Sequence, residues 1–175
     1  MTSLETERLI LRQYNFADRA ASAALFTDPE VMKFVGDGVR SRGEADRLFE
    51  RIFTDVYAPR AFDVWAVISK PDGAFVGHAE IKPRKDALAA PGDFEIIYVL
   101  NKAHWGRGLA TELARRILQY GFMELKLNRI HATVDPENVA SIRVLEKLKM
   151  VYEGEFEDEG GKTLVYVIKA EDSES

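Results

Sequence analysis

Apolar residues recur along this chain in two rhythms, and the rhythm changes several times. Spacing of two marks one face of a strand; spacing of three or four marks one stripe of a helix. Leu9-Ile10-Leu11-Arg12-Gln13-Tyr14 reads as a first strand. Asn15 is placed to cap a short helix carrying Phe16, Ala20, Leu25 and Phe26. Asp28-Pro29 has the form of a helix start, with proline at the first helical position. Ser41-Arg42-Gly43-Glu44 has the spacing of a capping box, and Ala45, Leu48, Phe49, Ile52, Phe53 and Val56 then share a helical face opposite Arg47 and Arg51. Strands follow over Val64–Ser69 and Phe75–Ile81, joined by the turn residues Lys70-Pro71-Asp72-Gly73. Phe94–Leu100 is mostly apolar and reads as a central strand. A long helix is predicted from Leu109 to Lys126, then a strand over Arg129–Val134. Asn138 opens a helix with Val139, Ile142, Leu145 and Leu148 on one face. Val151–Phe156 and Leu164–Ile168 close the chain as a hairpin around Glu159-Gly160-Gly161. The order β-α-α-β-β-β-α-β-α-β-β, with its hairpins and two crossover helices, implies a mixed sheet carrying helices.

Composition narrows the function. At 175 residues the chain is expected to be one domain over 1–175, with a frayed polar tail at 170–175. The formal charge of −5 disfavours general nucleic-acid binding. With no cysteine, disulfides, thiolate metal sites and a cysteine nucleophile are excluded. His78, His104 and His131 lack the spacing of a metal site, so no metal is expected. The start, Met1 to Arg8, is polar, and no run approaches the ~20 apolar residues of a membrane span. The reading is therefore a cytoplasmic protein without membrane partners.

The most informative segment is His104-Trp105-Gly106-Arg107-Gly108-Leu109-Ala110-Thr111, between the apolar strand and the long helix. Two glycines allow close backbone approach, and a helix start offers N–H groups and partial positive charge to an anion. Arg107 adds a full charge, with Arg115 and Arg116 further along. The plain alternative is a glycine-rich turn without a ligand. A P-loop would need Gly-x-x-x-x-Gly-Lys-Ser/Thr, which is absent. A dinucleotide fold would explain Gly106, Gly108 and Asp135, but Thr111 stands at the third glycine position and Asp135 comes too late.

Gly108 and Ala110 end a pattern that resembles the acetyl-CoA signature of the GNAT N-acetyltransferases, with Trp105 where Gln or Arg is usual. Trp105–Glu112 is similar to the RimJ/RimL-like branch, as are Thr6–Arg12, Glu95–Leu100 and Asn138–Leu148. Ile97 and Lys149 stand where that branch usually has glycine. The resemblance covers residues 5 to 168 and implies an α/β (α+β) GNAT fold. Its mixed, mostly antiparallel sheet would have about seven strands, with a splay between the fourth and fifth.

It implies the site as well. Backbone of Tyr98, Val99 and Leu100 would pair with the pantetheine arm of acetyl-CoA, and amides of Trp105, Gly106, Arg107, Gly108, Leu109 and Ala110 would hold the pyrophosphate. Asn138 and Ser141 would reach the coenzyme from the following helix, Ser141 near the thioester sulfur. Acetyl transfer to an amine needs a base for the ammonium proton and a donor for the departing thiolate. Glu95, which interrupts an apolar strand, is the candidate base, and Ser141 the candidate donor. Each has a plain alternative: a solvent-face carboxylate, and a first-turn helix residue bonding backbone. Asn138 is also a good N-cap. Many GNAT enzymes carry an acid tyrosine where this chain has Leu145. Phe34, Val35, Gly36 and Asp37 would border the acceptor, a protein N-terminus or a small amine. The rivals are a non-catalytic acyl-CoA sensor on the same fold and an NAD(P)-dependent oxidoreductase. Oligomeric state is left open.

Overall fold

The computed structural model describes residues 2–36 and 38–172. Its strands are β1 (Leu4–Glu5), β2 (Leu9–Arg12), β3 (Asp63–Ser69), β4 (Phe75–Pro83), β5 (Phe94–Leu100), β6 (Arg129–Val134), β7 (Val151–Asp158) and β8 (Gly161–Lys169). The helices are α1 (Arg19–Thr27), α2 (Arg42–Arg51), α3 (Leu109–Met123) and α4 (Val139–Lys147). The strands form one sheet in the order β1-β2-β3-β4-β5-β6-β8-β7. Eight strands rather than about seven arise because Leu4 and Glu5 pair antiparallel with Leu11 and Ile10. Two residues are too few for any periodicity to announce. The parallel register of β5 with β6 is a single pair, Glu95 opposite His131, as the expected splay requires.

Contacts divide the chain into two compact units, the first formed by residues up to Glu80 with Tyr98–Ala110. Here the apolar stripe of α2 and of the turn that follows it buries Ala45, Phe49, Ile52 and Val56, while Arg47 and Arg51 stay exposed, as their spacing predicts. Ser41 and Glu44 form the expected capping box, and Asn15 and Asp18 form another before α1. Arg19 of α1 bonds Asp46 at 3.1 Å and Glu50, and so ties α1 to α2. Beyond α2 the chain widens into a π-helical turn, Ile52–Tyr57. That turn sends the Tyr57 hydroxyl between β2 and β3. It accepts from the Tyr14 N–H at 2.9 Å and donates to the Val64 carbonyl at 3.0 Å. A hydroxyl thus continues a ladder whose last backbone pair is Arg12 with Ala66. Burial pushes the Tyr57 phenol up to about 12, so it keeps the proton it donates. Asp28 does not start an α-helix. Its carboxylate accepts from the Glu30 and Val31 amides at 2.8 and 3.3 Å, and only a 3₁₀ turn, Met32–Phe34, follows.

The second unit comprises Ile81–Ile97 and the chain from Thr111 on. In α3, Leu113, Ala114 and Ile117 are fully buried. Gly121 permits close packing there, since a Cβ would meet Ile130 Cδ1 at 2.5 Å and Ile81 Cδ1 at 2.9 Å. α3 stops at Met123 rather than Lys126, because the Leu125 amide reaches back to the Tyr120 carbonyl, the Leu127 amide to the Gly121 carbonyl, and Lys126 turns left-handed at φ 56°. Val139 is half exposed instead of sharing the buried face of Leu145 and Leu148. Steps of three residues drift by about 60° around a helix axis, so three such steps reach its opposite side. β7 runs two and β8 three residues closer to the turn than predicted, and the pair carries a bulge between Tyr152 and Gly154. Ala170–Asp172 is a 3₁₀ turn, and the rest of the expected tail lies outside the described residues.

Candidate active site

In the first unit, β5 ends at Leu100 and the chain enters a short 3₁₀ turn, Lys102–His104. Val99 and Leu100 are buried and Tyr98 is half-buried. Their backbone lies unusually close to β4: a Cβ on Gly77 would fall 2.2 Å from the Val99 carbonyl oxygen. The Asn101 N–H donates to the Val76 carbonyl at 2.8 Å. Trp105 then folds back so that its indole N–H donates to the Leu100 carbonyl at 2.8 Å. The unusual tryptophan at this position is thus a clasp between the turn and the strand end. Gly106 and Gly108 have φ of 69° and 75°, in the left-handed region that favours glycine. Around Gly106 nothing lies within 4 Å of a Cβ, so the backbone's sense, not space, demands glycine there. Leu109 is buried and opens α3, whose first-turn amides have no acceptor within the helix. Arg107 is exposed. These features can hold a phosphate.

Sequence reasoning missed two contributors to this turn. One is Gly77. The other is Arg8, whose Nη1 donates to the Arg107 carbonyl at 2.9 Å across 99 residues. Arg8 lies inside the Thr6–Arg12 stretch that carries part of the resemblance, but no local pattern reveals its target. Arg116, by contrast, has its guanidinium 3.8 Å from Glu124, two turns toward the far end of α3. Arg8 thus stands beside Arg107 at the turn.

Phe34, Val35 and Gly36 occupy their own turn in this unit, with Phe34 and Val35 half-buried and Gly36 exposed at φ 35°. The Lys33 ammonium lies 4.7 Å from the Phe34 ring centre, so that face accepts a cation. Asp37 lies outside the described residues. A buried polar chain is also present. Tyr14 Oη is 2.8 Å from His78 Nδ1, and His78 Nε2 is 2.8 Å from Glu80 Oε1. Burial raises the Tyr14 phenol well above its ordinary range.

In the second unit, Glu95 is half-buried, not a fully solvated carboxylate. Its Oε2 is 3.4 Å from the Thr133 hydroxyl, one β6 face-neighbour beyond His131. His131 is fully buried, with Nδ1 3.3 Å from the Phe94 carbonyl. Its Nε2 stands 3.1 Å from Glu153 without hydrogen-bond geometry. At the β7 bulge Glu153, itself exposed, also lies 3.8 Å from buried Arg84. Arg84 pairs with Asp86, and Arg129 with Asp93 at 2.8 Å. Burial pushes the Asp93 carboxyl upward, but the Ala90 N–H and Arg129 outweigh it and hold it below the ordinary aspartate range. Asn138 caps α4 and accepts from the Ser141 N–H at 3.1 Å. The cap orients the half-buried Ser141, so the capping role coexists with any ligand role. Leu145 is 1% exposed, a core residue where many relatives in the resembled family place an acid. The structure thus joins Trp105 to Leu100, Arg8 to Arg107, Glu95 to Thr133, and Asn138 to Ser141.

Among the described residues no group of three or more His, Cys, Asp or Glu could hold a metal ion. No described helix is long and apolar enough to cross a membrane. The family model for the acetyltransferase (GNAT) domain matches residues 8–151. An uncharacterized N-acetyltransferase of Bacillus subtilis, YnaD, is 32% identical over 153 residues, 87% of this chain and 85% of that protein. The spermidine N(1)-acetyltransferase of Escherichia coli is 38% identical over 63 residues, 36% of this chain and 33% of that protein. The crystal structure of a GNAT-family acetyltransferase from Bacillus anthracis superposes with a TM-score of 0.83 at 30% identity, covering 97% of this chain and 99% of that one. A glycine turn fit for phosphate, a strand end clasped to it and this agreement of sequence and fold lead to one conclusion: the chain belongs to the GNAT family and is an acetyl-CoA-dependent N-acetyltransferase.

Proposed function

We propose that this chain acts as one GNAT domain that transfers acetyl from acetyl-CoA directly to a primary amine, a small amine ahead of a protein N-terminus. The observation that carries the reading is the Trp105–Ala110 turn, with both glycines left-handed and a helix start behind them. The amides of Gly106 to Ala110 would hold the pyrophosphate, the Trp105 N–H being taken by the Lys102 carbonyl at 3.1 Å, and the backbone of Tyr98, Val99 and Leu100 would pair with pantetheine as an added strand does. Glu95, through water, takes the ammonium proton. The amine nitrogen then bonds the thioester carbonyl carbon, the C–S bond breaks with Ser141 donating a hydrogen bond to the departing sulfur, and the proton lost by the new amide nitrogen ends on the CoA thiolate. The absence of cysteine supports direct transfer over an acetyl-cysteine intermediate.

Asn138 and Ser141, with Leu145 buried where an acid tyrosine could stand, favour the RimJ/RimL-like branch. The small-amine choice is supported by the stretch similar to spermidine N(1)-acetyltransferase. The buried Leu145 also favours, as a second reading, a sensor that binds acyl-CoA without turnover. Thiol release from acetyl-CoA, measured across polyamines, amino acids and N-terminal peptides, separates these. Turnover with a polyamine or another small amine is expected. Turnover with peptides alone overturns the small-amine choice, and binding without turnover on the whole panel selects the sensor. Thermal stabilisation by NAD(P) but not by acetyl-CoA overturns the reading altogether.

A further inference from the structure

We propose that Arg8 is a positioning residue for the pyrophosphate of acetyl-CoA, acting through the peptide plane between Arg107 and Gly108; this rests on the coenzyme reading of the turn. The Arg8 Nη1 donates to the Arg107 carbonyl oxygen at 2.9 Å. A trans peptide is planar, so its C=O and the following N–H point in opposite directions. Holding the Arg107 oxygen therefore fixes the direction of the Gly108 N–H, which is one of the amides the anion would meet. Left alone, that plane is easily turned, because glycine at φ 75° crosses between backbone regions without a side-chain barrier. Its charge stays at the turn too: a Cβ on Gly108 would be 3.7 Å from Arg8 Nη2.

Arg8 is itself well anchored. The Thr6 hydroxyl accepts from the Leu9 N–H at 2.9 Å, and the Thr6 N–H donates to the Leu9 carbonyl at 3.0 Å, closing a tight turn around Arg8. The Lys70 N–H donates to the Arg8 carbonyl at 2.9 Å, and Lys70 Nζ to the Thr6 carbonyl at 2.7 Å. The opening of the chain is thus a bracket that delivers one guanidinium to a loop 99 residues away. Arginine suits the task because it stays charged and its planar fork holds a carbonyl in a fixed direction.

The test compares two acetyl donors in wild type, Arg8→Ala and Arg8→Lys. One is acetyl-CoA; the other is S-acetylpantetheine, which has the thioester and amide arm but no pyrophosphate. Losing a hydrogen bond to a charged group and a nearby charge should raise the KM of acetyl-CoA about 10- to 100-fold in Arg8→Ala. The KM of the amine and kcat/KM with S-acetylpantetheine should move less than threefold. Arg8→Lys should recover part of the loss. Equal losses with both donors, or an unchanged KM for acetyl-CoA, overturn the role of Arg8. Calorimetry with CoA separates the two levels. A wild type that binds no CoA overturns the coenzyme reading and this proposal together, whereas equal binding by wild type and Arg8→Ala overturns this proposal alone.

Discussion

The Trp105–Ala110 turn in one unit and the Glu95 region in the other are made of different material. The turn works through backbone. Two left-handed glycines, an indole on a carbonyl and a guanidinium on a carbonyl set the direction of peptide groups. Around Glu95 the work falls to side chains: the Thr133 hydroxyl, buried His131, and the Arg84, Asp86, Asp93, Arg129 and Glu153 charges behind them. A backbone site is exposed, tolerates many side chains and fails when φ is forbidden. A side-chain site is half-buried, and it fails when one proton or one charge is removed.

The sharpest break of this contrast is at Glu95. Glu95→Gln keeps the shape and removes the proposed base, so kcat should fall about 10²- to 10⁴-fold near neutral pH. The loss should shrink as pH rises toward the amine's own pKa, because a growing fraction of acceptor is then already deprotonated. A pH–rate profile checks this. A loss equal at every pH makes Glu95 a positioning group, and normal kcat across pH removes it from the mechanism. Ser141→Ala, in the same assay, should cost about tenfold, the scale of one hydrogen bond.

The corresponding break in the turn is Gly108→Val. A β-branched residue at φ 75° costs about 1–3 kcal/mol of backbone strain unless the turn moves. We expect the KM of acetyl-CoA to rise about 10- to 100-fold while that of the amine stays within threefold, measured by steady-state kinetics. A rise in both would mean that the turn shapes more than the donor site.

The same difference of material decided what could be read in advance. Glycines that need positive φ, and caps such as Ser41 with Glu44, are local, so Gly106, Gly108 and the start of α2 were legible. The element order follows from periodicity and was legible too. Arg8 was not, because its acceptor lies 99 residues on and nothing in its own neighbourhood names it. Glu153 was hidden by a bulge, at which an exposed residue of β7 lies close to both Arg84 and His131. Val139 was misread because three-residue steps imitate a face over one turn and leave it over three.

Behind the Glu95 region, Asp93 offers a smaller effect, read in stability rather than rate. Its side chain is 4% exposed and its folded carboxyl titrates below the ordinary value. A depressed folded value means that the contribution is present above the unfolded pKa of ~3.9 and is lost as pH falls through the folded one. Asp93→Asn should therefore cost about 1.5–3 kcal/mol at pH 7 in urea unfolding. The gap between variant and wild type should close as pH falls below about 4. A gap independent of pH would assign the loss to packing instead of charge.

The smallest effect tests the backbone side at the end of α4. Lys149 follows α4 with φ 62°. Its N–H donates to the Glu146 carbonyl at 2.9 Å, and the Met150 N–H to the Leu145 carbonyl at 3.0 Å. These bonds close the helix in the way that usually selects glycine. A lysine Cβ in that region costs about 1–2 kcal/mol, and glycine's extra freedom in the unfolded chain returns part of it. Lys149→Gly should then stabilise the protein by about 0.5–1 kcal/mol, with kcat and both KM values unchanged. The side chain is exposed. Destabilisation would mean that the Lys149 side chain holds something worth more than the strain it imposes. The local rule that made Gly106 and Gly108 legible would then mislead at the end of α4.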